Sequence, residues 1–390
     1  MKLSHRITTL TEDGSGGWGL FFKARALVEA GVEVTQLTIG EHDVRTDAAI
    51  LDEMHRAAKA GHTGYAAIPG IPALRAEVAA RVEAATGVTT APGNVLITAG
   101  GQAALFAAHM AACDPGERAL FIDPYYATYP GTLRGAGAVP VAVKAHAENA
   151  FQPDPRDIAA AAEGGAASLL INTPNNPTGV IYSRATLDGI AEVARAQDFW
   201  VISDEVYDTQ IWEGEHLSIR ALPGMAERTL VVGSMSKSHA MTGSRIGWIV
   251  GPQAAVEHLT NLSTHTTYGV AGFIQEAALF ALRQGEGFET GIAEPFRRRR
   301  EIALRILAGQ NVVRAVPPQG AMYMMLDIRA TGMSGKGFAE KLLDERRIAV
   351  MPGESFGAAA AGHVRVAMTV DDAAFEAAFA ELVDFAAAQI

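Results

Sequence analysis

Seven short apolar runs, rich in β-branched residues, punctuate the middle of this sequence: Val95 to Thr98, Ala119 to Ile122, Pro140 to Val143, Ser168 to Ile171, Trp200 to Ser203, Leu230 to Val232 and Ile246 to Val250. Stretches of helical periodicity separate most of them. Strands with apolar residues on both faces must be covered on both faces, and interleaved helices supply that cover. The pattern predicts an α/β fold with a mostly parallel seven-stranded sheet. Before it come helical patterns over 20–30, 48–60 and 71–86, the last opened by Pro72, where a missing N–H is harmless, and an apolar segment over 34–39. A long helix is expected over 267–284. From Gly285 the pattern becomes helix, short strands and helix, with strands over 322–327 and 364–368 and helices over 296–308, 336–346 and from 371 onward. The division expected is a large α/β domain over 46–284 and a smaller α+β domain built from 1–45 and 285–390.

A formal net charge of −11 argues against a nucleic-acid partner, which needs a basic face. The run Arg297-Arg-Arg-Arg300 continues into a helical pattern and reads as a solvated helix face. One cysteine, Cys113, excludes an intrachain disulfide and leaves no cluster for a thiolate metal site, so no metal is expected; it reads as a small core residue. No apolar run reaches membrane-spanning length, and the N-terminal residues lack a signal-like apolar core, so a cytoplasmic protein with no membrane partner is expected. Gly14 to Gly19 matches GxGxxG, but no strand precedes it, so the dinucleotide fingerprint fails its context.

Polar residues gather just after several of the seven runs, at the edge where open α/β sheets place ligands. Gly101 and Gln102 open a helix directly after the first run, and a helix N-terminus offers unpaired N–H groups to an anion. Tyr126, after the second, could stack on a flat ring or simply pack in the core. Asn172-Thr-Pro-Asn-Asn-Pro-Thr-Gly179 is a stiff loop whose amides, Asn176 among them, can meet a fixed oxygen. Asp204 ends the fifth run where a carboxylate is part-buried and needs a partner, and Tyr207 lies three residues on. After the sixth run come Ser234, Ser236 and Lys237, with Arg245 eight positions beyond the lysine. A part-desolvated lysine can form a Schiff base with a carbonyl, and the hydroxyls and arginine suit a phosphate beside it. An aldehyde and a phosphate on one small molecule suggest pyridoxal 5'-phosphate. Arg365 stands on an otherwise apolar strand, and its planar fork suits a carboxylate.

Asn175-Asn-Pro-Thr-Gly179, Ser203-Asp-Glu-Val-Tyr207, Ser234-Met-Ser-Lys237 with Arg245, and Arg365 stand in an order and spacing that resembles the class I/II aminotransferases, fold-type I pyridoxal-phosphate enzymes. The resemblance runs from about Trp18 to the C-terminus. It implies that Lys237 holds the cofactor and shuttles the substrate proton, that Asp204 keeps the pyridine nitrogen protonated, and that Tyr207 and Asn176 bond the phenolate oxygen. Gly101, Gln102, Ser234, Ser236 and Arg245 would hold the phosphate, with Tyr65 reaching it from the neighbouring subunit of a homodimer. Arg365 would clamp the substrate α-carboxylate, with Gly40 as a backbone contact. The implied activity moves an amino group from an L-amino acid to a 2-keto acid by a ping-pong route through pyridoxamine phosphate.

Two departures bear on specificity. Tyr126 stands where the family often has tryptophan, and no arginine for a second substrate carboxylate is evident around Thr264 to Gly269. The wording of 236–243 and 268–275 resembles the arginine–pyruvate transaminase subgroup. A basic or neutral donor with pyruvate as acceptor is therefore expected, with Trp18 and Tyr268 as pocket walls and Glu12 and Asp13 near enough to attract a guanidinium. The alternatives on this scaffold are an aspartate aminotransferase and a β-eliminating C–S lyase. A ligand-sensing module without catalysis would need a DNA-binding partner segment, and the sequence offers no basic patch for one.

Overall fold

A computed structural model describes residues 1–11 and 18–390. Twelve strands occur among them in chain order: β1 Thr35–Leu37, β2 Val95–Thr98, β3 Arg118–Asp123, β4 Val139–Lys144, β5 Ser168–Asn172, β6 Trp200–Asp204, β7 Thr229–Ser234, β8 Gly247–Val250, β9 Arg314–Ala315, β10 Tyr323–Asp327, β11 Ile348–Pro352 and β12 His363–Ala367. All seven central runs become strands of one sheet, in the order β2-β8-β7-β6-β5-β3-β4. Only β8 runs against its neighbours; the pairings β3–β4, β3–β5, β5–β6 and β6–β7 are parallel. The sheet is thus mostly parallel, as expected.

Successive side chains of a strand point to opposite faces, and in the strands inside the sheet both faces are dry, whereas the edge strand β4 is largely exposed. Phe121, Leu170 and Ile202 pack on one side with the helices Gly101–Ala112 and Gln253–Thr264. Their neighbours Leu120, Ile122, Leu169, Ile171 and Val201 pack on the other with Pro155–Ala162 and Arg184–Ala196. Double-sided burial is why these strands read as continuous apolar runs rather than as alternating ones. A second sheet, β1-β11-β12-β10-β9, has its core against the helices Glu286–Ala308, Gly335–Arg346 and Asp372–Ala387. Its β1–β11 pairing is parallel and brings the N-terminal segment into register with the C-terminal one.

Two expectations need correction. The helix expected over 267–284 starts five residues late: Tyr268 and Gly269 take left-handed φ values of 59° and 86°, and the helix runs Gly272–Leu282. A continuing right-handed helix cannot include two left-handed residues. The four-arginine run is not uniformly solvated either. Arg297 and Arg298 are exposed, whereas Arg299 and Arg300 are buried, because each step along a helix turns by about 100° and four consecutive residues sweep its whole circumference. Cys113 is buried and contacts Ser168 Oγ, as a core residue should. Among the described residues no helix is long and apolar enough to cross a membrane.

Arg299 ties three segments together. It donates to both oxygens of Asp43 (3.0 and 2.6 Å), to Asp372 (2.9 Å) and to the Met368 carbonyl (3.0 Å). Burial pushes both carboxyls up, but the bonds and charge of Arg299 at Asp43, and of Arg298 and Arg299 together at Asp372, outweigh it and hold both below their ordinary value of 3.8. The stability this contributes is present above that unfolded value and is lost as pH falls through the depressed folded ones. Arg299→Ala is expected to cost about 3 kcal/mol, measured by urea unfolding at neutral pH, with the cost shrinking as pH falls below 4. Arg297→Ala, on the exposed face, should leave the midpoint unchanged; equal midpoints for the two variants would refute the assignment.

Candidate functional site

The carboxyl ends of the large sheet face a cavity of about 200 Å³, closed on the far side by residues of the second sheet. Asn172, Asp204 and Ser234 are the last residues of β5, β6 and β7 and all line it. Parallel register sets Asn172 beside Asp204, and β7 runs two residues past Val232, the partner of Asp204, to end at Ser234. Gly101 and Gln102 enter from the first turn of the helix that follows β2, and Gly40, Tyr323 and Arg365 come from the side of the smaller sheet.

At one end the groups suit an anion. Ser234 ends β7 in extended conformation and caps the four-residue helix Met235–Ser238, its Oγ accepting from the Ser236 N–H at 3.1 Å and donating to Ser236 Oγ at 3.0 Å. Arg245 has a left-handed φ of 52°, which turns its guanidinium back toward the start of the helix Gly101–Ala112. Gly100 has a φ of 80°, and a Cβ there would stand 2.6 Å from Arg245 Nη2, so only glycine leaves room for this cradle. The Gln102 side chain is engaged elsewhere, donating to Thr132 Oγ1 (2.7 Å) and accepting from Thr128 Oγ1 (3.1 Å), so the helix-terminal backbone N–H groups face the site.

In the middle stands Lys237, whose Nζ contacts the Gly40 carbonyl. Behind it is Asp204, buried at 4% exposure, with no ion-pair partner among the described residues. Burial pushes its carboxyl up to about 6, opposed by a hydrogen bond from Tyr129. Tyr126 lines the same wall, its ring edge-on to Tyr129 with centroids 5.7 Å apart, and burial raises its hydroxyl to about 12. Tyr207 Oη lies 3.0 Å from Tyr323 Oη; burial, then the neighbouring Tyr323, push it well above 10.

At the other end Arg365 is 1% exposed. Its Nη1 donates to Asn176 Oδ1 at 2.8 Å and its Nη2 contacts the Thr38 carbonyl. Its guanidinium carbon lies 4.4 Å from the Tyr323 ring centre and 4.3 Å from that of Phe356, a sandwich worth about 2 kcal/mol or more when desolvated. Because Asn176 Oδ1 is taken, its Nδ2 remains to meet an oxygen in the cavity. The stiff loop is fixed by Asn172, which donates to the Asp204 carbonyl (2.9 Å) and accepts from the Asn176 N–H (2.7 Å).

Of the residues singled out in sequence, Trp18, Gly40, Gly101, Gln102, Tyr126, Asn176, Asp204, Tyr207, Ser234, Ser236, Lys237, Arg245 and Arg365 converge on this cavity. Tyr65 does not; it is 91% exposed and packs edge-on against Tyr268, which is half-exposed and also outside the cavity wall. Glu12 and Asp13 lie outside the described residues. Tyr129, Tyr323 and Phe356 were not anticipated. Tyr129 closes the aromatic run that begins at Tyr125, a signal present in the sequence, whereas nothing local distinguishes Tyr323 or Phe356 from core residues.

Residues 32–382 match the family described as aminotransferase class I and II. The arginine–pyruvate transaminase of Pseudomonas aeruginosa is 39% identical over 370 residues, 95% of this chain and 94% of that one. The aspartate/prephenate aminotransferase of Thermus thermophilus is 36% identical over 355 residues, 90% of each. Among solved structures, the aspartate aminotransferase from Thermus thermophilus with maleate superimposes at a TM-score of 0.91 with 34% identity, covering 98% of this chain and all of that one. That from Thermotoga maritima gives 0.92 at 31% identity over 98% and 99%.

A Cβ at Gly40 would fall 1.7 Å from Tyr323 Oη, so Gly40→Ala must displace either the loop that touches Lys237 or the tyrosine against Arg365. The expected cost is about 1–3 kcal/mol of stability together with weakened binding of carboxylate ligands, read by thermal melting with and without ligand. A variant with unchanged melting and unchanged ligand affinity would show the contact to be unimportant.

Proposed function

On the premise that this chain belongs to the class I and II aminotransferases and is a pyridoxal-phosphate-dependent transaminase of fold type I, we propose that its amino donor is a basic or neutral L-amino acid and its acceptor pyruvate. The observation that carries this is the set of cations on the cavity wall. Among the described residues these are Lys237, Arg245 and Arg365, each assigned to a different end or to the centre, which leaves none for a second substrate carboxylate. The identity to an arginine–pyruvate transaminase supports the same reading.

The residues present fit the cofactor. The glycine-lined cradle of Ser234, Ser236, Arg245 and the Gly101–Gln102 N–H groups would hold its phosphate, the buried carboxylate of Asp204 would meet its ring nitrogen, and Tyr126 would pack on the ring. Tyr207 and the free Nδ2 of Asn176 would bond its phenolate oxygen. When bound, the cofactor supplies an electron sink for negative charge at the substrate Cα. Lys237 Nζ is placed to take the proton from Cα and return it, acting as general base and then acid. Arg365 would present its fork to the substrate α-carboxylate, held in place by Asn176 and by the rings of Tyr323 and Phe356 on its two faces. Trp18 walls the donor's side-chain end, where an aromatic face receives an apolar chain or a cation.

A homodimer with shared sites is part of the proposal, supported by the exposed Tyr65–Tyr268 pair and the exposed apolar Phe106 and Met110. So is the division into a unit over 46–284, which contains the whole seven-stranded sheet, and one made of 1–45 and 285–390, which contains the five-stranded one.

The test is a half-reaction panel in which each L-amino acid is mixed with the loaded enzyme and the cofactor absorption band is followed. Arginine or another long-chain donor is expected to convert the band faster than aspartate, with pyruvate reversing it. Aspartate as best donor by tenfold would overturn the specificity reading and point to a cation supplied from elsewhere, such as a partner subunit. Borohydride reduction and peptide mapping should place the pyridoxyl adduct on Lys237; an adduct on another lysine would sink the site assignment.

A further inference from the structure

Asp204 has two carboxylate oxygens, and one of them is already spoken for. Tyr129 Oη donates to Oδ2 at 2.6 Å, and both residues are buried, at 2% and 4% exposure. Oδ1 receives only a long contact from the Val206 N–H at 3.4 Å. The tyrosine has little freedom to leave. It is the first residue of the helix Tyr129–Ala136, its N–H bonds the Tyr126 carbonyl at 2.9 Å, and its ring is edge-on to Tyr126. The start of that helix is in turn clamped to Gln102 through Thr128 and Thr132. Burial, then the adjacent Asp204, push the Tyr129 hydroxyl well above 10, so it stays a donor throughout the accessible pH range. The other ionisable groups acting on Asp204 or Tyr129 are Tyr126 from the same segment and Glu205 and Tyr207 from the turn after β6, none of them a cation.

We propose that Tyr129 is a positioning residue for the reaction: its hydroxyl holds Asp204 as an anion with Oδ1 left for the bound ring, so that the proton between them stays on the ring nitrogen. This rests on the reading of Asp204 as the partner of that nitrogen. A hydrogen bond to the charged form of a carboxyl favours that form, and charge-assisted bonds of this kind are the strong ones. Remove the donor and the carboxylate gains proton affinity. The proton then moves from ring nitrogen to carboxyl oxygen, no other bond changes, and the neutral ring withdraws electrons less well. Tyr129 touches neither substrate nor ring edge in this role; it acts through Asp204.

The experiment is Tyr129→Phe, which keeps the ring and removes the hydroxyl. In the cofactor-free protein, carbon-13 NMR of labelled aspartate carboxyls should show the Asp204 midpoint moved up by about one pH unit or more. In the loaded enzyme, kcat should fall by about tenfold to a hundredfold with KM for the amino acid changed by less than about threefold. An unmoved midpoint, or kcat within twofold of the parent, overturns the proposal. Should the phenylalanine variant fail to fold, 3-fluorotyrosine placed at position 129 strengthens the donor without changing its shape. It should lower the Asp204 midpoint, and a midpoint that stays put or rises overturns the proposal equally. Failure of the underlying reading is told apart by Asp204→Ala: turnover within tenfold of the parent removes Asp204 from the reaction, and Tyr129 with it, whatever the titration shows.

Discussion

A guanidinium with almost no exposed surface must be compensated, and the compensation of Arg365 joins the parts of this protein. Burial disfavours its charge and lowers its pKa. Against that stand Asn176 from the loop after β5, the Thr38 carbonyl from the segment after β1, and the faces of Tyr323 and Phe356. These groups come from both sheets and from the N-terminal segment. The smaller sheet, the stiff asparagine loop and the N-terminal strand therefore have to arrive in one arrangement for the charge to be tolerated. That arrangement also closes the cavity. A residue able to grip a carboxylate is thus also the residue whose burial enforces the shape of the site.

The cavity itself is a line of separated electrostatic jobs. A cation and helix-terminal N–H groups lie at one end, a lysine in the middle with a buried acid that has no ion-pair partner among the described residues, and an arginine fork at the other end. Separation matters, because the cations would repel one another if crowded and Asp204 would be neutralised as a simple salt bridge if Lys237 or Arg245 reached it. What keeps them apart is the sheet. Neighbouring strands stand about 4.8 Å apart, so β5 and β6 set the spacing of Asn172 and Asp204, and the two further residues of β7 beyond Val232 set Ser234 away from Asp204, before any side chain chooses a rotamer. Gly100 then sets the approach of Arg245, and Gly40 the approach of Tyr323, each by having no Cβ.

The sequence by itself determined the seven strands of the large sheet, because all but the edge strand β4 are buried on both faces, and such strands have no polar residues to hide among and stand out as apolar runs. It also determined the polar strand ends, since a polar residue closing such a run has one place to be. Asp204 and Ser234 were legible for that reason, Asn176, Tyr207, Lys237 and Arg245 because they stand in the polar turns flanking such runs, and Arg365 because it is an arginine inside an otherwise apolar strand. Only the tertiary structure decided what depends on neighbours remote in the chain. The left-handed turn at Tyr268 and Gly269, where the start of a helix was expected, is one such feature. The inward turn of Arg299 and Arg300 is another: four identical letters carry no phase, and the carboxylates that select two of them, Asp43 and Asp372 for one and Glu213 for the other, lie 256, 73 and 87 residues away. Tyr323 and Phe356 read as ordinary core residues until the fold lays Arg365 between their rings. Periodicity records which face of an element is buried, but the partner it meets there is fixed by packing across the whole chain.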